Sequence, residues 1–327
     1  MSLLSKMALA ASMTLAVFAE DQAKTQAQPA PAMDPNPMAR WGTSDEGNFF
    51  ITGEVLWIKP LTEELRSEYN NSPTQTESRK FFRNEFTTGE RVSLGYNTTY
   101  DGWDAVLIYT GFNYKHNNSG LDQTANLPSK TTYSYYYNQG DLDFGRMMKV
   151  SRKLKMRPHV GVRALWLTEK GKYQADTSGS YQTYSTNRIK NTLYGLEAGL
   201  DSVWMFAKTF GVYANLGFGT MVNQQKFVHL GNSTETNTSS QSYTNYGTKI
   251  VNQIDFSIGI RWDKNFSDDA YHFGINLGYE QHSLINLQSP SLGNRISNGY
   301  IGNNYNGGFQ DPDFTWQGIA LGGRFDF

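Results

Sequence analysis

Ten stretches of alternating apolar and polar residues, joined by connections that are short and long in strict turn, constrain this chain more than any other feature. The stretches are Phe49–Ile58, Thr87–Asn97, Gly102–Lys115, Tyr136–Ser151, Met156–Lys172, Lys190–Phe206, Phe210–Phe227, Lys249–Lys264, Tyr271–Ile285 and Thr315–Phe327. None carries a sustained helical period. In "IVNQIDFSIGIRW", Ile250, Ile254, Phe256, Ile258, Ile260 and Trp262 share one face, broken only by Asn252. Gln253, Asp255, Ser257, Gly259, Arg261 and Asp263 take the other. Side chains alternate across a strand. A slip of one residue would carry Asp255 and Arg261 into the apolar set, so the facing is specified.

The connections supply the second constraint. "TTYD", "RKLK", "AKT" and "NFSDDA" are short, whereas Pro60 to Phe86, His116 to Tyr135, Tyr173 to Arg188, Val228 to Thr248 and Asn286 to Phe314 are long and rich in Asn, Ser, Thr and Gly. A β-sandwich also alternates apolar and polar residues, but nothing in it makes loop length alternate. An up-and-down barrel with its two rims in different compartments does, with short periplasmic turns and long external loops. Aromatics gather at strand ends: Trp103, Trp204, Phe206, Phe210, Trp262, Phe266, Tyr271 and Phe325 by the short turns, and Trp57, Tyr114, Trp166 and Trp316 towards the other rim. Such residues suit the headgroup region of a bilayer. The fold class read here is all-β: a transmembrane antiparallel β-barrel of about ten strands, or twelve if a long loop adds a hairpin.

Composition agrees. Trp, Tyr and Phe make up 14% of the chain and Cys is absent, which excludes disulfides and thiolate chemistry. A net charge of -1 offers no basis for nucleic-acid binding. Lys6 followed by "MALAASMTLAVFA" reads as a signal peptide over 1–19, with Val17 and Ala19 at the cleavage site. Residues 20–47, rich in Gln, Ala and Pro, read as a disordered linker, leaving 48–327 for the barrel.

Several pieces, "NFFITGEVLWIKPLTEEL", "RVSLGYNTTYDGWDAVLIYTGF", "DLDFGRMMKVSRKLKMRPHVGVRALWL", "GLEAGLDSVWMFAKTFGVYANLGFG" and the closing "GIALGGRFDF", occur in order from Asn48 to Phe327. Together they resemble the pore-forming major outer membrane protein-like family of Legionella and the environmental chlamydiae. The resemblance implies a porin in the outer membrane of a Gram-negative bacterium, in contact with lipid and passing small hydrophilic solutes or ions passively. The absence of Cys sets the chain apart from the chlamydial major protein and puts a disulfide-linked envelope network in doubt. Phe327 resembles the terminal aromatic read by the barrel-assembly machinery. A homo-oligomer remains open.

If the apolar face meets lipid, the other lines the interior. It carries Glu54, Arg91, Asp141, Asp143, His159, Arg163, Glu197, Asp201, Asp255, Arg261, Glu280 and Arg324 among many glycines. The pore-lining set expected from this is Glu54, Arg91, Arg163, Glu197, Asp255, Arg261, Glu280 and Arg324. Their near balance of sign gives no ion preference. The competing reading is a plugged barrel acting as an adhesin or structural protein through its polar loops. No catalysis is expected: His282 and Ser283 in "EQHSL" point to opposite faces, no HExxH spacing occurs, and Asp311 and Asp313 in "QDPDF" read as a turn. No cofactor or metal site is expected.

Overall fold

The computed structural model describes residues 47–61, 85–99, 101–121, 128–177, 181–233, 241–267, 270–287 and 313–327. The expected signal peptide and nearly all of the linker lie outside the described residues. The strands are β1 (Asn48–Leu61), β2 (Thr87–Asn97), β3 (Trp103–Leu121), β4 (Pro128–Arg146), β5 (Met148–Lys149), β6 (Leu154–Thr177), β7 (Tyr181–Met205), β8 (Phe210–Ser233), β9 (Gln241–Phe266), β10 (Tyr271–Ile285) and β11 (Phe314–Asp326). Neighbours in sequence pair antiparallel except β4 and β5, which both pair with β6, and β1 pairs with β11. The two-residue β5 prolongs β4 past Met147, so the wall is a closed barrel of ten strands. At the seam Phe49 and Phe327 exchange backbone hydrogen bonds of 3.0 and 2.9 Å.

The alternation sorts the wall into two faces. Leu94, Leu107, Val162, Leu196, Ile260 and Leu277 stand outward and exposed, Leu196 at 69%. Apolar surface on this scale fits lipid rather than water. Trp204 and Tyr194 bound the band on β7, ten residues apart. At about 3.4 Å per residue and a tilt of about 40°, that is roughly 26 Å of height, the thickness of an outer-membrane apolar band.

Two features depart from the sequence expectation. Tyr114 and Trp316, expected in the outer aromatic belt, point inward, 3% and 1% exposed, because each shares its strand's inward parity. Most strands, though not β2 or β10, also run beyond their expected ends on the long-loop side. The sequence reading stops β3 at Lys115 and starts β4 at Tyr136, yet the ladder continues to Leu121 opposite Pro128. Above the apolar band the outward face of a strand meets water. The apolar period vanishes there while the backbone ladder continues.

The short turns close tightly. Asp101 and Gly102 take φ of 49° and 74° before β3, and Thr98 N–H donates to Trp103 O at 2.9 Å. Asp101 also forms an ion pair with Arg146.

Candidate functional site: the barrel interior

The inward face is layered. Towards the short-turn rim, the Arg261 guanidinium binds Asp263 at 2.6 Å, and Asp263 lies 3.1 Å from the His272 ring. The other ring nitrogen of His272 lies 2.7 Å from Asp326, which accepts from Arg324 at 2.6 Å. Opposite this chain, Arg157 bonds Asp104 at 2.9 Å and Asp201 at 3.0 Å. Arg324 also covers the Phe50 ring at 3.7 Å.

The next layer is a belt of charge across the lumen. Arg91 and Glu54 are direct cross-strand partners on β2 and β1, and their ion pair measures 2.6 Å. The same guanidinium reaches Glu280 on β10 at 2.9 Å. Asn276 donates to Glu54 at 3.1 Å. Glu54 and Asn276 meet over Gly322, where a Cβ would stand 2.7 Å from each. Arg163 is opposite Asp141 in register, donates to it at 2.7 Å, spans to Asp255 on β9 at 2.6 Å, and pairs with Glu197. His282 joins the halves, with Nδ1 2.7 Å from Asp255 and Nε2 3.5 Å from Glu280.

Above the belt lies an apolar cluster, beside a buried polar chain in which Asn223 donates to Asn191 and Asn191 donates to Glu169, each at 3.0 Å. The His282 ring stacks on Trp316 with centroids 4.0 Å apart. Trp316 meets Phe112 at 5.5 Å and Tyr137 at 5.9 Å, while Tyr135 meets Phe314 at 5.6 Å. Leu165, Leu167, Ile189, Leu193 and Met221 complete a buried cap. A hydrogen-bonded run from the Tyr137 hydroxyl through Gln139 to Asp141 ties cap to belt.

All eight residues expected to line the interior face it, in two groups. Glu54, Arg91, Arg163, Glu197, Asp255 and Glu280 form the central belt, whereas Arg261 and Arg324 belong to the separate layer nearer the short turns. The expected list of inward charges left out His282, Asp263, His272, Asp326, Asp104 and Arg157, although Asp263 already stood on the polar face of its strand. Their strand parity was a sufficient signal for each. The sequence reading also missed the cap, although "YSYYYNQGD" places Tyr133, Tyr135 and Tyr137 in phase with Asp141.

Residues 43–327 match the family described as Legionella pneumophila major outer membrane protein precursor. The chain belongs to this family. It is therefore a bacterial outer-membrane protein whose barrel contacts membrane lipid. No curated protein matches it. Among solved structures it is similar to the outer membrane protease OmpT from Escherichia coli, at 8% identity and a TM-score of 0.45, covering 86% of this chain and 96% of that one. It is also similar to a Pseudomonas aeruginosa FadL homologue, at 9% identity and 0.28 over 86% and 90%. A third is Ail, the attachment invasion locus protein of Yersinia pestis, at 11% and 0.26 over 86% and 99%.

The protease among these barrels corrects the sequence-based exclusion of catalysis. An outer-membrane barrel is no ground for ruling out an enzyme, and a likeness of 8% identity assigns no activity to this family member. Of the residues weighed for catalysis, His282 faces the lumen on Asp255, Ser283 accepts from the Thr315 hydroxyl at 3.0 Å, and Asp313 accepts from Asn286 N–H at 3.0 Å. Asp311 lies outside the described residues.

Proposed function

We propose that this outer-membrane protein is a narrow diffusion pore for small hydrophilic solutes and ions, with a preference for cations. The observation that carries the reading is the charge imbalance of the central belt. Glu54, Glu280, Asp255, Asp141 and Asp143 face only two guanidiniums, those of Arg91 and Arg163. The acids stay in excess even with His282 counted as charged. Asp143 Oδ1 and Glu197 Oε1 are buried without a hydrogen-bond partner. A buried carboxylate oxygen left without a partner costs about 1–3 kcal/mol in a dry interior, so the belt favours water and cations over a dry plug. A ring of acidic side chains selects cations. The Trp316–Tyr137–Phe112 cap narrows the path above it, so passage requires these rings to move aside.

The test is conductance of the folded chain in a planar bilayer under a salt gradient. Small discrete steps with a cation-selective reversal potential are expected, and Asp255→Asn with Glu280→Gln should move that potential towards zero. An anion-selective reversal potential would refute the reading.

A second reading, a closed barrel acting through its external loops, is favoured by the cap itself, since Trp316 and Tyr137 are each 1% exposed. It stands if the wild type and Trp316→Ala are both electrically silent.

A further inference from the structure

The outward face of the barrel carries one basic trough above the aromatic level. Lys115 on β3, Ser134 on β4, Lys170 on β6 and Arg188 on β7 lie in one cross-strand row. Asn117, Thr132 and Lys172 form the next row outward, and Lys130 lies beyond it. The central strand offers small hydroxyl residues and its flanks offer ammonium groups. The result is a concave pocket of about 310 Å³ lined by Lys115, Asn117, Lys130, Thr132, Ser134, Tyr136, Lys170 and Lys172, with no acidic residue in its lining.

Three observations indicate an anion in this trough. Lys170 and Arg188 are direct cross-strand partners, an arrangement that repels unless a counter-charge is supplied. Arg188 Nε is buried with no hydrogen-bond partner. Lys190 and Lys226, also direct partners and both exposed, extend the basic surface to β8.

Height decides which anion. Lys170 follows outward-facing Trp166 by four residues and holds its ammonium 4.5 Å from the Tyr136 ring centroid. Four residues are roughly 10 Å of height on a tilted strand, so the trough sits just above the outer edge of the apolar band. Phosphate groups of outer-leaflet lipid lie at that level.

We infer that the trough formed by Lys115, Lys130, Lys170 and Lys172 over Ser134 and Thr132 is a docking site for the phosphorylated sugar headgroup of an outer-leaflet glycolipid of the lipid A type. Lysine ammoniums pair with the phosphate as point charges, the Ser134 hydroxyl donates to it, and Asn117, which accepts from the Thr132 hydroxyl at 2.9 Å, offers its amide N–H groups. The acyl chains then run down the apolar wall past Trp166 and Val162. The site is independent of the pore reading, because it lies on the opposite face of the wall from the charged belt.

The test is binding to the folded chain in lipid nanodiscs, read by native mass spectrometry and titration. The probes are diphosphoryl lipid A, the same lipid without phosphates, and inorganic phosphate alone. The variant K115Q/K130Q/K170Q/K172Q is compared with K149Q/R152Q/K153Q/K208Q, which removes four positive charges around the short turns. Each lysine near a charged lipid surface contributes about fivefold in affinity. The trough variant should therefore lose at least about a hundredfold for diphosphoryl lipid A and the turn variant should lose none. Ser134→Glu should weaken binding similarly with all lysines in place, and a heat-dependent gel mobility shift checks that each variant is folded. Wild-type affinity in the trough variant, or equal binding of the dephosphorylated lipid, would overturn the assignment. Inorganic phosphate that displaces the lipid at equal concentration would assign the trough to a soluble anion instead. Conductance of the trough variant should match the wild type.

Discussion

Arg163 bears the heaviest electrostatic load in the barrel. Its guanidinium is 8% exposed and pairs with Asp141 at 2.7 Å, Asp255 at 2.6 Å and Glu197. Replacing it by Met keeps most of the side-chain volume and removes the charge, leaving three carboxylates facing one another. Breaking a buried pair by removing one partner costs about 3–5 kcal/mol. Arg324→Met is the contrast. Arg324 is 21% exposed, its partner is Asp326, and Asp326 keeps the His272 ring at 2.7 Å. That change should cost about 1 kcal/mol, because the two-nitrogen pair with Asp326 is partly exposed and Asp326 retains its histidine partner. In reversible urea unfolding from lipid vesicles with a slope of about 3 kcal/mol per molar, Arg163→Met should lower the midpoint by roughly 1–2 M. Arg324→Met should lower it by about 0.3 M. Adding Asp255→Asn to Arg163→Met should recover part of the loss, because the two side chains interact directly. Equal midpoints for the two single variants would refute the reasoning. They would show each carboxylate of the belt to be individually hydrated and the pairs to contribute little.

Trp316→Ala removes the ring on which His282 and Phe112 pack. It should raise unit conductance while lowering stability by about 3–5 kcal/mol, read from bilayer steps and urea midpoints on one preparation. Deleting Phe327 removes both seam hydrogen bonds to Phe49 and the ring stacked on Phe325. The yield of heat-modifiable barrel in cells should fall, with the conductance of refolded protein unchanged. Gly161→Val would place a Cβ 2.5 Å from Asp143 Oδ1 and 2.6 Å from Leu142 O. It should prevent assembly of the belt, giving a barrel that melts earlier, whereas Gly53→Ala, with nothing within 4 Å, should leave the melting temperature within a few degrees.

The sequence by itself determined the wall. Period-two alternation is a property of the extended backbone, so the lipid face, the lumen face and an even strand number with both ends on the short-turn rim follow from local pattern and loop length. The inward direction of Glu54, Arg91, Arg163 and Asp255 follows in the same way. Only the tertiary structure decided how far the strands rise above the membrane, because the ladder outlasts the hydrophobic period once the outward face is wet. It also decided which charges meet. Arg91 reaches Glu280 and Arg163 reaches Asp255 across the lumen, between residues 189 and 92 positions apart in the chain. Those partners depend on the stagger with which the sheet closes and on glycines such as Gly322 that let distant side chains meet over the wall. The separation of one apparent charged lining into two layers beneath an aromatic cap is set by that closure, a long-range geometry that alternation along a single strand does not encode.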